Sequence, residues 1–150
     1  YKTGLMVQPE IFRRYLFPWY ARIGELARAR DIPYIYHSDG NLWVVMDDIV
    51  AAGFDALHPI EPGAMDIYEV KERYGHRLAL IGNIDLRSTL TLGTPQEVRR
   101  EVRERIARLG PGGGYIVSSS NSVTEYVPLA NYVALLEATY EYGRYPIGSR

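Results

Sequence analysis

The order of apolar and polar positions predicts an alternation of helices and strands. In residues 9–30 apolar side chains recur at helical spacing, and arginines and glutamates fill the opposite face. Pro18 lies inside this segment, where a proline kinks a helix. Residues 33–37 are short, rich in β-forming side chains and followed by polar residues, which predicts a strand. The apolar face of the first helix comprises Phe12, Tyr15, Leu16, Trp19, Ile23, Leu26 and Ala27.

The same alternation repeats three more times. Helices are predicted at 42–52, 66–75, 94–109 and 128–142, and strands at 56–60, 78–81 and 115–117. Two helix starts carry capping-box spacing, Asp66 with Glu69 and Thr94 with Glu97. The helix from Thr94 is expected to bury Val98, Val102, Ile106 and Leu109, and to expose Arg99, Glu101, Arg103, Glu104 and Arg108.

Strands that alternate with helices of this length predict βαβ units and a parallel sheet of the α/β class. The strands show no polar–apolar alternation, which is typical of a sheet covered on both faces. Two architectures remain, an open doubly wound sheet and part of a (β/α)8 TIM barrel. Four βα units cannot close eight strands, and the chain begins with a helix that no strand precedes. We therefore predict that residues 1–150 form a single unit, the second half of such a barrel with strands 5–8.

The amino-acid composition excludes cysteine chemistry and several classes of partner. The chain of 150 residues has a formal net charge of −1 and no Cys. Disulfides, a Cys nucleophile and a thiolate metal site are therefore excluded for this chain. The balanced charge predicts no nucleic-acid or anionic-membrane partner. No apolar stretch approaches the roughly 20 residues that cross a bilayer, and no signal peptide is visible, so a cytoplasmic location is expected.

Polar residues follow each predicted strand. Because the carboxyl ends of parallel strands are where ligands bind, these residues are expected to surround one shared hollow. The four clusters are His37-Ser38-Asp39-Gly40-Asn41, Glu61 between two prolines, Asn83 with Asp85, and Ser118-Ser119-Ser120-Asn121.

Each of these clusters also has a purely structural interpretation. Asp39, Asn41 and Asp85 are able to cap the segments that follow them. Glu61 could brace its loop, and residues 118–120 could form only a polar turn. His58, inside a strand, and His76, in a turn, are interpreted as structural. Residues 112–114 precede a strand, which indicates a helix-to-strand turn and not a phosphate-binding loop.

Several segments together carry a family resemblance. In order they are YKTGLMVQP (1–9), HSDGN (37–41), IEPGAMD (60–66), IGNID (81–85), LGTP (92–95), GGGY (112–115) and VPLAN (127–131). With this order and spacing the chain resembles the uroporphyrinogen decarboxylase superfamily over essentially its whole length. That family is a (β/α)8 barrel, and the segments resemble its part from just after the fourth strand to the end.

The decarboxylase branch of the family removes carboxyl groups from a tetrapyrrole without a cofactor, so the resemblance implies a carboxy-lyase. It implies that the substrate is a tetrapyrrole or a related polar small molecule. Candidate catalytic residues are His37, Asp39, Glu61 and Asp85; candidate substrate-binding residues are Asn83, Ser119 and Asn121. Only Lys2 and Arg87 lie near these acidic residues in sequence, and like charges disfavour carboxylate-rich uroporphyrinogen itself.

A second branch transfers methyl groups between a corrinoid and a thiol on a zinc ion held by a His-x-Cys pair and a later Cys. Here His37-Ser38-Asp39 has that spacing with Asp in place of Cys. The alternative function is therefore a metal-dependent methyltransferase with a divalent metal such as zinc on His37, Asp39 and Glu61. A non-catalytic module that binds a tetrapyrrole or corrinoid is a further alternative.

Half a barrel would expose two strand edges and an apolar face. We therefore expect either a homodimer or a partner that supplies the N-terminal half-barrel. The chain alone is expected to be inactive.

Overall fold

The computed structural model describes residues 2–147, so Tyr1 of the first resemblance segment lies outside the described residues. The helices are α1 (Pro9–Tyr15), α2 (Phe17–Arg28), α3 (Met46–Ala51), α4 (Ile67–Tyr74), α5 (Pro95–Leu109) and α6 (Leu129–Tyr142). The strands are β1 (Ile35–His37), β2 (Ala56–His58), β3 (Ala79–Ile84) and β4 (Tyr115–Ser119). A 3-10 turn at Trp43–Val45 leads into α3, and a π-helical segment covers Leu86–Thr91.

The strands form one sheet in the order β1-β2-β3-β4. β1 pairs with β2 in parallel, with His37 opposite His58, and β2 pairs in parallel with β3. The predicted α/β class with a parallel sheet is therefore confirmed, and it is consistent with part of a TIM-barrel-like fold. That these strands are the last four of eight stays a prediction.

The chain divides into two compact units, the first ending at Leu80 and the second beginning at Ile81. The boundary falls inside β3, which is continuous from Ala79 to Ile84. This division leaves the predicted single unit as a prediction.

The interruption predicted near Pro18 is present, but it is a full break at Leu16 and not a kink at Pro18. α1 ends at Tyr15, and α2 starts at Phe17 with Pro18 in its first turn. Proline has no N–H to donate to the preceding turn, and its ring crowds that turn's carbonyl, so a proline inside a helix kinks or breaks it. At the first turn of a new helix the same residue costs nothing.

Several predicted boundaries were wrong by a few residues. β2 ends at His58 because Pro59 cannot continue the hydrogen-bond ladder. β3 runs past Gly82 to Ile84, and β4 includes Ser118 and Ser119, so a glycine and hydroxyl side chains did not end these strands. The predicted helix at 42–52 is split into the 3-10 turn and α3.

The second unit has its own apolar core between α5 and α6. All four residues predicted to be buried on α5 (Val98, Val102, Ile106 and Leu109) are enclosed, with exposures of 0–3%. α5 itself starts at a complete capping box, in which the side chains of Thr94 and Glu97 each accept a hydrogen bond from the other's backbone N–H. At α4, Asp66 caps Tyr68 N, whereas Glu69 pairs with Arg73.

Two apolar helix surfaces remain exposed. The first-unit stripe, as we call it, comprises Ile11, Tyr15, Trp19, Ile23 and Leu26; the second-unit stripe comprises Leu129, Val133, Leu136 and Tyr140. The apolar face predicted on the first helix is thus largely open. Among residues 2–147, no helix combines the length and the apolar composition that a bilayer crossing requires.

Candidate functional site

Two imidazoles meet at the carboxyl ends of β1 and β2 in the first unit. The parallel register places His37 opposite His58. Their Nδ1 atoms lie 2.6 Å apart, and the rings are stacked with centroids 4.8 Å apart. An N–H···N contact needs one donor and one acceptor, so the two Nδ1 atoms share one proton. His37 is exposed and His58 is partly buried, so His37 is the more accessible ring of the pair.

The surroundings of His58 favour its neutral form. Burial lowers the pKa of the His58 imidazole below its ordinary value, and the charge that His37 can carry lowers it further. The negative charge of Asp39 acts in the opposite direction and raises that pKa. Burial and His37 together therefore make the His58 ring an unfavourable place for a positive charge.

Glu61 joins the loops that follow β1 and β2. Its Oε2 accepts a hydrogen bond of 2.8 Å from Gly40 N, and its Oε1 lies 3.7 Å from Lys2 Nζ. Its backbone oxygen also accepts from Ala64 N and Met65 N in the next turn. The bracing role considered for Glu61 is therefore present, and it holds the loop of His37 next to that of Glu61. The Glu61 side chain retains 24% exposure, which leaves it accessible to a small polar group.

The polar residues that follow His37 form hydrogen bonds within their own loop. Asn41 Oδ1 accepts from Trp43 N and so caps the 3-10 turn, as one interpretation of the sequence predicted. Asp39 is exposed, and Ser38 Oγ donates to its backbone oxygen.

In the second unit, Asn83 is enclosed at the end of β3. It is 1% exposed, and its Oδ1 accepts from Arg105 Nε at 3.1 Å. Arg105 is in turn paired with Glu101 at 3.3 Å. The predicted contact between Asn83 and a substrate stays a prediction, but this enclosure favours a structural role.

Asp85 caps the π-helical segment that follows it. Its Oδ1 accepts from Arg87 N at 2.8 Å and from Ser88 N at 3.1 Å. The capping interpretation of Asp85 is therefore confirmed for this oxygen. The side chain is partly buried, and a catalytic role for it stays a prediction.

The end of β4 is held to the end of β3 by backbone and hydroxyl groups. Ser120 N donates to Ile84 O, and Leu86 N donates to Ser120 Oγ. Ser119 Oγ donates to Asn121 O, while Asn121 Oδ1 accepts from Ser122 N. These bonds support the polar-turn interpretation, and the roles predicted for Ser119 and Asn121 in substrate binding stay predictions.

The glycine-rich segment before β4 is a turn, as predicted. Gly112, Gly113 and Gly114 all have positive φ, and Gly113 N bonds back to Gly110 O at the end of α5. Because glycine has no Cβ, only glycines can adopt positive φ at three successive positions without steric cost.

The contacts of two residues, His58 and Glu101, were not predicted from the sequence. His58 was interpreted as structural because a strand residue gives no sign of its cross-strand partner; only the register brings it to His37. Glu101 was predicted to be exposed, yet its side chain is 15% exposed because it turns toward Arg105 and the N–H of Asp85. The signal available in the sequence was the i,i+4 spacing of Glu101 and Arg105.

The predicted zinc ligands do not form a metal site. Within residues 2–147 no three His, Asp or Glu side chains lie close enough together to hold a metal ion. His37 Nδ1 is bound to His58, and Glu61 Oε2 is bound to Gly40 N. The described residues therefore do not fit a zinc ion on His37, Asp39 and Glu61.

Comparison with known proteins gives relatives and a fold neighbour. A uroporphyrinogen decarboxylase of Pseudomonas fluorescens is 33% identical over 113 residues, 75% of this chain and 30% of its own length. One from Actinobacillus succinogenes is 28% identical over 116 residues, 77% of this chain and 31% of its own. The chain thus spans about a third of the length of these relatives.

A solved methyltransferase from Methanosarcina mazei has a similar fold, with a TM-score of 0.77. The match covers 95% of this chain and 40% of that one at 22% identity, so it is evidence of fold alone. The family model described as uroporphyrinogen decarboxylase (URO-D) matches residues 2–142. Because that match covers nearly the entire sequence, the chain belongs to the uroporphyrinogen decarboxylase family.

Proposed function

We propose that this chain is part of a uroporphyrinogen-decarboxylase-like carboxy-lyase that acts on a tetrapyrrole or a related polar substrate. Family membership supports the reaction class. The observation that carries the proposal is the His37–His58 pair beside Glu61 at the carboxyl ends of β1 and β2. Strand ends of this kind are where α/β enzymes place their reacting groups.

The reaction requires a proton donor near the reacting carbon. A decarboxylation breaks a carbon–carbon bond and releases CO2, and the electron pair left on carbon then takes up a proton. An imidazole titrates near neutral pH, so it is suited to deliver that proton. His37 is the candidate because its ring is exposed and its Nε2 points away from the bond to His58. The proposal requires no cofactor.

The charges of the first unit bear on the substrate. Asp39 and Glu61 are both acidic, and Lys2 Nζ at 3.7 Å from Glu61 offsets part of that charge. Acidic side chains bind hydroxyl and N–H groups well and repel carboxylates. The proposed substrate therefore presents pyrrole N–H or other donor groups to this side and has fewer carboxylates than uroporphyrinogen.

The proposal includes further βα units that cover the two exposed stripes. Such apolar surfaces on helices are characteristic of contact regions. The relatives extend well beyond the matched segment, since this chain covers only about a third of their length. A second copy of the chain is the alternative occupant; self-association of the chain, as against its copurification with the unmatched part of a relative, distinguishes the two.

Turnover tests the proposal. The chain is copurified with the part of the Pseudomonas fluorescens relative that it does not match. The complex is incubated with porphyrinogens that carry different numbers of carboxylates, and their decarboxylated products are measured by chromatography. We expect product from the copurified complex and none from the chain alone. Turnover by the chain alone would contradict the need for further units.

The chain and the copurified complex also test the alternative of a non-catalytic carrier module. Tight porphyrin or cobalamin binding in a spectral titration, without product from the complex, would favour a carrier module and overturn the lyase proposal. The methyltransferase alternative has no support from individual residues, because the chain lacks Cys and the described residues do not assemble the zinc ligands.

A further inference from the structure

Glu101 and Arg105 of α5 form an enclosed pair of opposite charges in the second unit. Arg105 Nη2 lies 3.3 Å from Glu101 Oε1, and the two side chains are 17% and 15% exposed. The next pair with the same spacing on α5, Glu104 with Arg108, is 54% exposed on both sides. Taking two charges out of water is costly, and replacing an enclosed pair by apolar residues of similar size often leaves a fold as stable as before. Net stabilisation alone therefore does not account for this pair.

Both members of the pair reach the carboxyl end of β3. Arg105 Nε donates to Oδ1 of the enclosed Asn83 at 3.1 Å. Glu101 Oε1 accepts a long hydrogen bond of 3.4 Å from Asp85 N. A guanidinium carries its donors in a rigid planar fork, so Arg105 bonds to Asn83 and Glu101 at the same time. The pair thus ties α5 to the residues on both sides of Ile84.

The three N–H groups that follow Asp85 N are also bound by side chains. Leu86 N donates to Ser120 Oγ, and the N–H groups of Arg87 and Ser88 donate to Asp85 Oδ1. Asp85 is therefore held through its backbone and through one carboxylate oxygen. Within residues 2–147 its other oxygen, Oδ2, forms no hydrogen bond or ion pair, and the residue is only partly buried. Oδ2 is a fixed acceptor that a ligand with a donor group can reach.

We propose that Glu101 and Arg105 are positioning residues, which hold the end of β3 so that Asp85 Oδ2 accepts a hydrogen bond from an N–H or O–H group of the substrate. The substrate contact rests on the proposed function, and it agrees with a substrate that presents pyrrole N–H groups. Asp85 lies at the carboxyl end of a parallel strand, where ligands of such folds bind. Residues behind a contact group matter because a displacement of about 1 Å can lower a rate about a hundred-fold.

Hydrogen exchange measures the positioning without activity. Arg105→Lys keeps the positive charge, but its single nitrogen cannot bond to Asn83 and Glu101 together. Amide exchange of the full chain is followed at single-residue resolution by mass spectrometry, which tolerates self-association. We expect the N–H groups of residues 85–88 to exchange about ten-fold faster in this variant, with those of α6 unchanged. Arg108→Lys, the matched control on the exposed pair, should change neither set.

A second variant covers the case in which Arg105→Lys loses protection throughout the second unit. Glu101→Gln keeps the size of the side chain and weakens the acceptor of Asp85 N, so the same residues 85–88 should exchange faster in it. Glu104→Gln is its control. Exchange of residues 85–88 at the unmodified rate in Glu101→Gln, or in a folded Arg105→Lys variant, would overturn the inference.

Turnover by the copurified complex tests the substrate contact. Asp85→Asn keeps a capping oxygen but replaces Oδ2 by an amide nitrogen, which donates and does not accept. It should lower kcat/KM about ten-fold, and Arg105→Lys should lower it by a similar factor. The double variant should lose little more than either change alone, because both act on the same oxygen.

The double variant separates positioning from a purely structural role. Losses that multiply in the double variant would overturn the inference, because a role of Arg105 in stability alone does not depend on Asp85 Oδ2. An unmodified complex without turnover would contradict the proposed function only. The exchange of residues 85–88 then decides the positioning role by itself.

Discussion

At the scale of single residues, several polar side chains that the sequence suggests as catalytic or substrate-binding form structural hydrogen bonds. Asp85 caps the segment after β3, and Asn83 is enclosed with its oxygen bound to Arg105. His37 differs from them, because its exposed ring is fixed by a neighbour without being covered. This difference separates the best catalytic candidate from the residues that hold the strand ends in place.

The capping role of Asp85 predicts how two substitutions differ. Asp85→Ala removes the acceptor for Arg87 N and Ser88 N and is expected to lower the free energy of unfolding by about 1 kcal/mol. Asp85→Asn keeps a capping oxygen and should lower it by a few tenths at most. Urea unfolding followed by circular dichroism measures both. Equal losses for the two variants would show that the charge, and not the cap, stabilises the fold.

Arg105 is expected to matter more for stability than a matched arginine on the same helix. Arg105→Ala leaves the enclosed Asn83 oxygen without this donor, which costs about 1–3 kcal/mol. Arg108→Ala removes a pair with Glu104 in which both side chains are 54% exposed, and such pairs contribute about 0–1 kcal/mol. Similar urea midpoints for the two variants would refute the role assigned to Arg105.

At the scale of elements, the sequence signals that act within one helix are the most informative. Thr94 and Glu97 predict the start of α5, and the complete capping box is present. The bonds that Glu97 accepts from Thr94, first from its backbone and then from its hydroxyl, lower the pKa of the Glu97 carboxyl. The capping box therefore works through an ionised side chain and should depend on pH.

We expect Glu97 to stabilise the fold only while it is ionised. Its pKa is lower in the folded state, so the folded state binds the proton more weakly. The stabilisation is complete above the unfolded value of 4.5 and is lost as pH falls through the lower folded value. The difference in unfolding free energy between the unmodified chain and Glu97→Gln should shrink from about pH 7 to about pH 3. Glu104→Gln, further along α5, is the control; a difference for Glu97→Gln that stays constant with pH would contradict this mechanism.

Contacts between elements were harder to predict. The interior residues of α5 follow from helical periodicity, and all of them are buried. The ends of β3 and β4 were placed too early because Gly82, Ser118 and Ser119 were interpreted as turn signals, whereas their neighbours in the sheet keep them in strands. Likewise, the partner of His37 depends on the register of β1 against β2, which no local pattern encodes.

At the scale of the whole molecule, the two exposed stripes are the surfaces through which the chain is expected to associate. Trp19 and Leu136 lie at the middle of the two stripes and are 60% and 44% exposed. The prediction that His37, Glu61 and Asp85 face one hollow joins residues of both compact units and stays a prediction. Its outcome depends on the completed assembly.

The chain alone is expected to self-associate through its stripes. Trp19→Glu with Leu136→Glu places charge on both stripes and should shift the mass measured by light scattering toward the monomer, because a buried charge without a partner opposes association. Leu92→Glu, at a residue that is 75% exposed and outside both stripes, should leave the mass unchanged. A stable monomer of the unmodified chain at high concentration would contradict the expectation. Copurification with the unmatched part of a relative in place of self-association identifies further βα units as the occupant.

The most direct test of the central claim is the effect of His37 on turnover by the copurified complex. His37→Ala is expected to reduce kcat by about a hundred-fold or more, as loss of a proton donor does, while His76→Ala leaves it unchanged. The His37→Ala complex must still copurify, so that lost assembly is not counted as lost chemistry. Decarboxylation by that complex at the unmodified rate would contradict the claim that His37 supplies the proton.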